Sequence, residues 1–213
     1  MKNEILFVAT MLFALIILGC TSGTLSSEYS LNVSEQDIED AKSSAEALYA
    51  SPFSTYEDDL ISIQYPSWIP RNLTSISPLG IQKLINVVNG ESSFYVSTVD
   101  KNSELKFITS PEDYVDVLIK SGSSRQGSPD YVKSIVVRNQ SVTENGYTTV
   151  NDIEWYKSCM DQRVGDSIEI QCMAAVDCGD FVVGVNLVVP KAYGLNEEFF
   201  TKILDSFECK EGV

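Results

Sequence analysis

The first twenty residues constrain the chain most, because they decide in which compartment it folds. Lys2 and the α-amino group give a short positive start, and the apolar run Ile5–Leu18 contains a single polar residue. A charged start, an apolar segment and a small residue such as Gly19 form the pattern of a secretory signal. The run is shorter than the ~20 residues of a membrane-spanning helix, so we predict a signal peptide over residues 1–19. An uncleaved N-terminal anchor is the alternative.

Cys20 follows this segment directly. The sequence Ile17-Leu18-Gly19-Cys20 resembles the lipobox of exported lipoproteins, in which a small residue precedes the cysteine that is lipidated and becomes N-terminal. The resemblance implies a lipid on the thiol of Cys20 and a location on the outer face of the cell membrane. Residues 20–33 are rich in Ser and Thr, which predicts a flexible tether.

Charge and composition exclude several classes of function. The chain has 15 basic and 30 acidic residues, a net charge of −15, which repels phosphate backbones and makes nucleic acid an unsuitable partner. The same charge opposes electrostatic adhesion to anionic lipid, so we expect membrane contact through the lipid anchor alone. The sequence contains no histidine, which excludes Ser-His-Asp and Cys-His catalysis and imidazole-bound zinc.

Four further cysteines predict a disulfide framework. An even number in an exported chain allows three connectivities, and none of the CxxC pairs typical of a four-thiolate zinc site is present. A two-residue turn at Gly165-Asp166 would place Cys159 opposite Cys172 at a non-hydrogen-bonded position, where Cα atoms approach to ~4.5 Å. We therefore predict the pairs Cys159–Cys172 and Cys178–Cys209, with buried, reduced thiols as the alternative.

Sequence patterns predict three helices. Ser34 caps an N-terminal helix within residues 34–52, which either packs on the domain or belongs to the stalk. A second helix begins at Ser110-Pro111, and Asn196 caps a third with a wide apolar face.

Between these helices the chain is rich in strand patterns. Ile61–Tyr65 alternates strictly, and Asn89-Gly90 predicts a hairpin between Gln82–Val88 and Ser93–Val99. Four more segments read as strands, the second with a break near Asn151: Tyr131–Arg138, Tyr147–Met160, Ser167–Val176 and Phe181–Val189. We therefore predict an α+β domain over residues 53–213, with an antiparallel sheet covered by helices.

Three segments resemble PsbP-like domains. The phrase YEDDLISIQYPSWIP (Tyr56–Pro70) is similar to their opening strand, FFTKILDSFEC (Phe199–Cys209) to their closing helix, and VNDIEWYKSCM (Val150–Met160) to an internal strand. The resemblance implies a three-layer α/β/α sandwich with a central antiparallel sheet. Its layout is nearest to the prokaryotic, archaeal surface lipoproteins, and it implies a binding or assembly role rather than an enzyme.

Candidate sites are few. The acidic groups Glu57-Asp58-Asp59 and Glu35–Asp40 lack the spacing of an EF-hand, so Ca²⁺ is unsupported and we expect solvated surface, with no metal or cofactor. Trp68 and Trp155 are predicted to be core residues. Possible N-glycosylation sites are Asn32, Asn72 and Asn139.

These patterns favour a non-catalytic, membrane-anchored extracytoplasmic lipoprotein that binds a partner protein or small ligand, or aids envelope assembly. Alternatives are an enzyme that uses carboxylate or Ser/Lys chemistry and a purely structural envelope component. A concave pocket with converging acids of perturbed pKa would favour the enzyme. A flat, exposed apolar patch would favour a protein partner.

Overall fold

A computed structural model of the chain describes residues 34–71, 80–102, 108–124, 137–164 and 167–210. The chain divides into two units, Met1–Ser34 and Glu35–Val213, and the description below concerns the second. Cys20, Asn32, Asn72 and the Gly165-Asp166 turn lie outside the described residues, as do the predicted signal peptide and tether. No described helix combines the length and the hydrophobicity that crossing a bilayer would require.

Three α-helices and ten β-strands occur in the described residues. The helices are α1 (Glu35–Tyr49), α2 (Pro111–Ser124) and α3 (Glu197–Asp205), and a 3₁₀ turn spans Lys191–Tyr193. The strands are β1 (Phe53–Glu57), β2 (Ile61–Pro66), β3 (Ile69–Pro70), β4 (Gln82–Asn89), β5 (Ser92–Asp100), β6 (Val137–Val150), β7 (Ile153–Val164), β8 (Ser167–Cys178), β9 (Phe181–Pro190) and β10 (Glu208–Cys209).

A seven-stranded antiparallel sheet in the order β3-β4-β5-β9-β8-β7-β6, here called the main sheet, organises the domain. Two-residue turns join β6 to β7 and β8 to β9, because Val150 pairs with Ile153 and Cys178 with Phe181. Asn151 and Asp152 both have positive φ, as a type I′ turn requires. A second sheet has the order β1-β2-β10.

The predicted Asn89-Gly90 hairpin is present, and at the turn each strand is one residue longer than predicted. Asn89 pairs with Ser92, so the turn residues are Gly90 and Glu91. Gly90 has a φ of 57° and takes the first turn position, where a two-residue hairpin accepts glycine. Asn89 is therefore the last residue of β4.

Helices cover both faces of the main sheet. Under α2, Tyr114 and Val115 pack with sheet residues such as Met160 and Met173. On the opposite face a larger core joins α1, α3 and β2 to the sheet around Trp155. The predicted α+β sandwich with a central antiparallel sheet is confirmed.

Helix α1 packs on the domain, which answers the question that the sequence left open. Leu48 is buried in the larger core, and the ring of Tyr49 lies 5.1 Å from that of Phe199 on α3. The Tyr49 hydroxyl also donates a hydrogen bond to the carbonyl of Gly194. The last turn of α1 is thereby tied to the segment around α3.

Both predicted cysteine pairs lie at disulfide distance. Cys159 stands opposite Cys172, with Cα atoms 4.1 Å apart and sulfur atoms 2.04 Å apart. The sulfur atoms of Cys178 and Cys209 are 1.98 Å apart. The first pair joins two strands of the main sheet, and the second joins the C-terminal segment to the end of β8.

Tyr114 anchors α2 to the main sheet through a close approach to Gly184. The tyrosine is fully buried, its hydroxyl lies 2.6 Å from the Ser97 Oγ and accepts a hydrogen bond from Asn186 Nδ2 at 3.3 Å. Burial raises the pKa of Tyr114 to about 12. A Cβ at position 184 would overlap the Tyr114 ring, so the packing of α2 requires glycine there.

Gly184→Ala is expected to destabilise the domain by about 1–3 kcal/mol, because the ring must leave its place on the sheet. Urea unfolding followed by circular dichroism measures this change in the free energy of unfolding. In a Tyr114→Ala background the same substitution should cost much less, since the overlapping ring is gone. Equal costs in the two backgrounds would contradict the role given to Gly184.

Candidate functional site

Strands β7 and β8 separate at one end, and a groove opens there. Their pairing extends from Val164 and Ser167 to Tyr156 and Ala175 and stops. Beyond that point Ile153–Trp155 pairs only with β6, and Val176–Cys178 pairs only with β9. The facing peptide groups of these two segments are therefore not paired with each other.

The groove has a volume of about 730 Å³, which lies within the usual range of ligand sites. It is bordered by the diverging strands, by the β6–β7 hairpin, by the start of α2 and by the C-terminal segment. Its lining residues are Ser110, Pro111, Tyr147, Asn151, Ile153, Glu154, Val176, Asp177, Phe207, Glu208 and Cys209.

Local structure fixes two walls of the groove. At the start of α2, the Asp113 amide donates to Ser110 Oγ at 3.1 Å, and the Asp113 carboxylate accepts from the Thr109 hydroxyl at 2.7 Å. Hydrogen bonds to the carboxylate, first from the Thr109 hydroxyl and then from the Thr109 amide and Ser110, lower the pKa of Asp113 although partial burial opposes them. At the C-terminal wall, Phe207 packs edge to face on Trp155 with ring centroids 5.0 Å apart.

Tyr147 forms the aromatic wall. Its ring stands edge to face on Tyr156 at 5.0 Å, yet 55% of the residue is exposed. The pKa of Tyr147 is raised, first by slight desolvation and then by the negative charges of Glu112 and Glu154. The exposed ring therefore lies in a negative field.

The carboxylates of the groove are only partly neutralised. Asp177 forms an ion pair with Lys101 at 2.8 Å. Glu154 and Glu208 are exposed, and no residue in the described ranges forms an ion pair with either. An exposed aromatic ring beside free carboxylates suits a positively charged group such as an ammonium or a guanidinium.

A second groove, of about 830 Å³, lies between α1 and the segment that follows β9. It contains Lys42 beside Glu46, and its other acid, Glu197, is bound to Lys157 at 2.7 Å. Its charges are therefore largely balanced. It offers less attraction for an ion than the first groove.

A possible metal cluster proves to be an ion-pair cluster. Glu144, Cys159 and Glu197 bring potential ligand atoms within 4.8 Å of one another. However, the Lys157 Nζ lies 3.1 Å from Glu144 and 2.7 Å from Glu197, and the Cys159 sulfur is at bonding distance from Cys172. Burial opposes the charge of Lys157, but the two carboxylates outweigh it and raise its pKa. The ammonium group thus takes the place that a cation would need.

The acidic groups singled out in the sequence have structural roles or lie at the surface. The Asp58 carboxylate accepts hydrogen bonds from the amides of Leu60 and Ile61, each at 2.8 Å. Glu57 pairs with Lys210 at 2.7 Å. Residues 35–40 lie in α1 and are exposed. Neither group forms a cation cage.

The two tryptophans lie in the core, and the exposed apolar residues are scattered. Trp68 and Trp155 are buried, as predicted, and the Trp68 indole donates to Ser51 Oγ at 3.1 Å. Asn139 lies in β6. Four large apolar residues are exposed among the described ones, and they belong to four different elements: Ile38, Ile69, Tyr147 and Ile168.

Glu169 bears on the enzyme alternative. Burial raises its pKa, with a smaller contribution from Glu91, and Gln162 acts in the opposite direction. A carboxyl with a raised pKa is a candidate general acid. Glu169 lies near the start of β8, however, and the groove lies at the other end of that strand. The structure does not bring this acid to the groove.

No protein-family model and no curated protein matches the chain. The cyanobacterial PsbP of Synechocystis sp. PCC 6803 superposes with a TM-score of 0.54 at 14% identity, covering 75% of this chain and 93% of that one. This likeness shows that the fold is PsbP-like.

Two further solved structures are more distant. PA94 of Pseudomonas aeruginosa, of unknown function, has a TM-score of 0.39 at 12% identity, with 72% and 94% of the two chains covered. LpqN of Mycobacterium tuberculosis, described as involved in cell envelope biogenesis, has a TM-score of 0.33 at 12% identity, with 76% and 90% covered.

Proposed function

We propose that this chain is a non-catalytic binding protein, held at the outer face of a cell membrane by a lipid on Cys20, whose groove receives a positively charged group of its partner. The observation that carries the proposal is the groove itself. It combines the exposed ring of Tyr147 with the carboxylates of Glu154 and Glu208, with which no described residue forms an ion pair.

The location is supported by the cysteines and by the N-terminal sequence. Two cysteine pairs at bonding distance are typical of chains that fold in an oxidising compartment. The apolar run that ends at Gly19-Cys20 provides both an export signal and an attachment point. This layout favours the prokaryotic surface-lipoprotein branch of PsbP-like proteins, and the proposal includes membership of it.

The binding role is supported by the chemistry of the groove. A cation over the face of a tyrosine ring gains about 0.5–1 kcal/mol at an exposed site, and nearby carboxylates add a salt-dependent attraction. The groove offers both. The raised-pKa carboxyl that acid catalysis would need, Glu169, lies elsewhere, so the same geometry favours binding over catalysis.

Methylguanidinium is the simplest probe of the groove. In an NMR titration of the full chain in mild detergent, we expect salt-sensitive shifts at Tyr147, Glu154 and Asp177. A bound cation should also lower the pKa of Tyr147, because it offsets the negative charges that, after desolvation, help to raise that pKa.

Glu154→Gln should weaken this binding about threefold or more, whereas Glu91→Gln, a matched change outside the groove, should leave it unaltered. Both variants should keep the circular dichroism spectrum of the parent. Shifts spread evenly over the acidic surface, or equal effects of the two substitutions, would contradict a site at the groove.

Intact-mass analysis of the chain recovered from the membranes of its host tests the location. We expect a chain that begins at lipid-modified Cys20, with no cysteine alkylated before reduction and four alkylated after it. A Cys20→Ser variant should lack the lipid and leave the membrane fraction. A chain that keeps residues 1–19, carries no lipid and shows five reactive cysteines without reductant would refute this part of the proposal.

A further inference from the structure

Among the described residues, strand β6 forms one edge of the main sheet. It spans 14 residues, and its only neighbour in the sheet is β7. No other strand among the described residues pairs with it. An edge of this kind presents a row of peptide groups that another extended chain can join.

The hairpin determines which peptide groups face outward. Because a two-residue turn joins Val150 to Ile153, these two form a hydrogen-bonded pair and the pairs alternate from there. Every second residue of β6 therefore directs its N–H and C=O away from β7. In the regular part of the strand these residues are Asn145, Tyr147 and Thr149.

The half of β6 nearest the hairpin lacks the devices that usually protect an edge. Register shifts interrupt the pairing before Glu144, whereas Glu144–Val150 pairs regularly with β7. This segment contains no proline or lysine, which commonly blunt edge strands. Its one charged residue, Glu144, is bound to Lys157 at 3.1 Å. The segment thus keeps an unbroken register with β7 and is nearly neutral.

The open edge is continuous with the groove. Tyr147 belongs to both, since its peptide N–H and C=O point away from β7 and the residue also lines the groove. A residue placed opposite Tyr147 on an added strand would have its Cβ atom about 5 Å from that of the tyrosine. Glu112 and Glu154 make the potential at Tyr147 negative. That residue should therefore be basic.

We propose that β6 is a strand-addition site at which an extended segment of a partner protein pairs with Glu144–Val150 and places a lysine or arginine side chain beside Tyr147. The inference rests on the proposed function, because this side chain is the cation that the groove receives. A second copy of the chain is a poor occupant. Each copy carries a net charge of −15, and the segment offers no basic residue of its own.

The probe is a seven-residue peptide of alternating threonine and valine with a central arginine, blocked at both ends. Added to the labelled full chain in mild detergent, it should shift the amide signals of Asn145, Tyr147 and Thr149. The same peptide with a central glutamate should bind at least tenfold more weakly, because like charges then meet at the groove. A peptide with one N-methylated strand position should also lose affinity, about fivefold or more, since it cannot complete the ladder.

Thr149→Pro removes one outward N–H and should weaken binding of the arginine peptide without weakening that of methylguanidinium. Thr149→Val keeps the N–H and is the matched control. If the proline variant does not fold, the N-methylated peptide tests the same bond on the unaltered protein.

Strand addition would be overturned if neither N-methylation of the peptide nor Thr149→Pro lowers the affinity of the peptide. Shifts confined to other surfaces would also overturn it. If methylguanidinium still binds in that case, the proposed function stands and only this inference falls. If neither the arginine peptide nor methylguanidinium shifts the signals of the unaltered chain, the proposed function is refuted as well.

Discussion

Residues 156–164 of β7 pair with residues 167–175 of β8, whereas residues 153–155 and 176–178 are not paired with each other, and the groove exists because of this divergence. The C-terminal segment fills the space on one side of the gap. Phe207 packs on Trp155, and Cys209 lies at bonding distance from Cys178 at the end of β8. The start of α2 borders the gap through Ser110 and Pro111.

The role of each acidic residue depends on where the fold places it. The chain has twice as many acidic as basic residues, and some of the acidic residues stabilise the fold. Asp58 holds a turn and Glu197 binds a buried lysine. Glu154 and Glu208 differ because no described residue neutralises them and both face the groove beside an exposed aromatic ring. The site is therefore assigned from carboxylates that no described basic residue neutralises, and not from the spacing of acidic residues in the sequence.

Local rules predicted much of the fold. The Cys159–Cys172 pairing followed from counting outward from a two-residue turn, because antiparallel register fixes which residues face each other. Periodicity predicted the three helices, but strands as short as β10 have no pattern to detect. The groove could not be predicted, since Ser110, Glu154 and Glu208 are far apart in sequence and no local pattern marks where two paired strands part. The ion pairs of Lys157 with Glu144 and Glu197 gave a faint sequence signal, because Lys157 is a cation within a strand whose neighbours on the same face are buried.

Amide hydrogen exchange of the full chain, measured by NMR, tests the separation of the two strands most directly. Val176 is at a hydrogen-bonded position with β9, whereas the N–H of Asp177 points toward β7 across the gap. We predict slow exchange at Val176 and nearly unprotected exchange at Asp177. Equally slow exchange at both residues would mean that β7 and β8 are paired to their ends, and the groove on which the account depends would not exist.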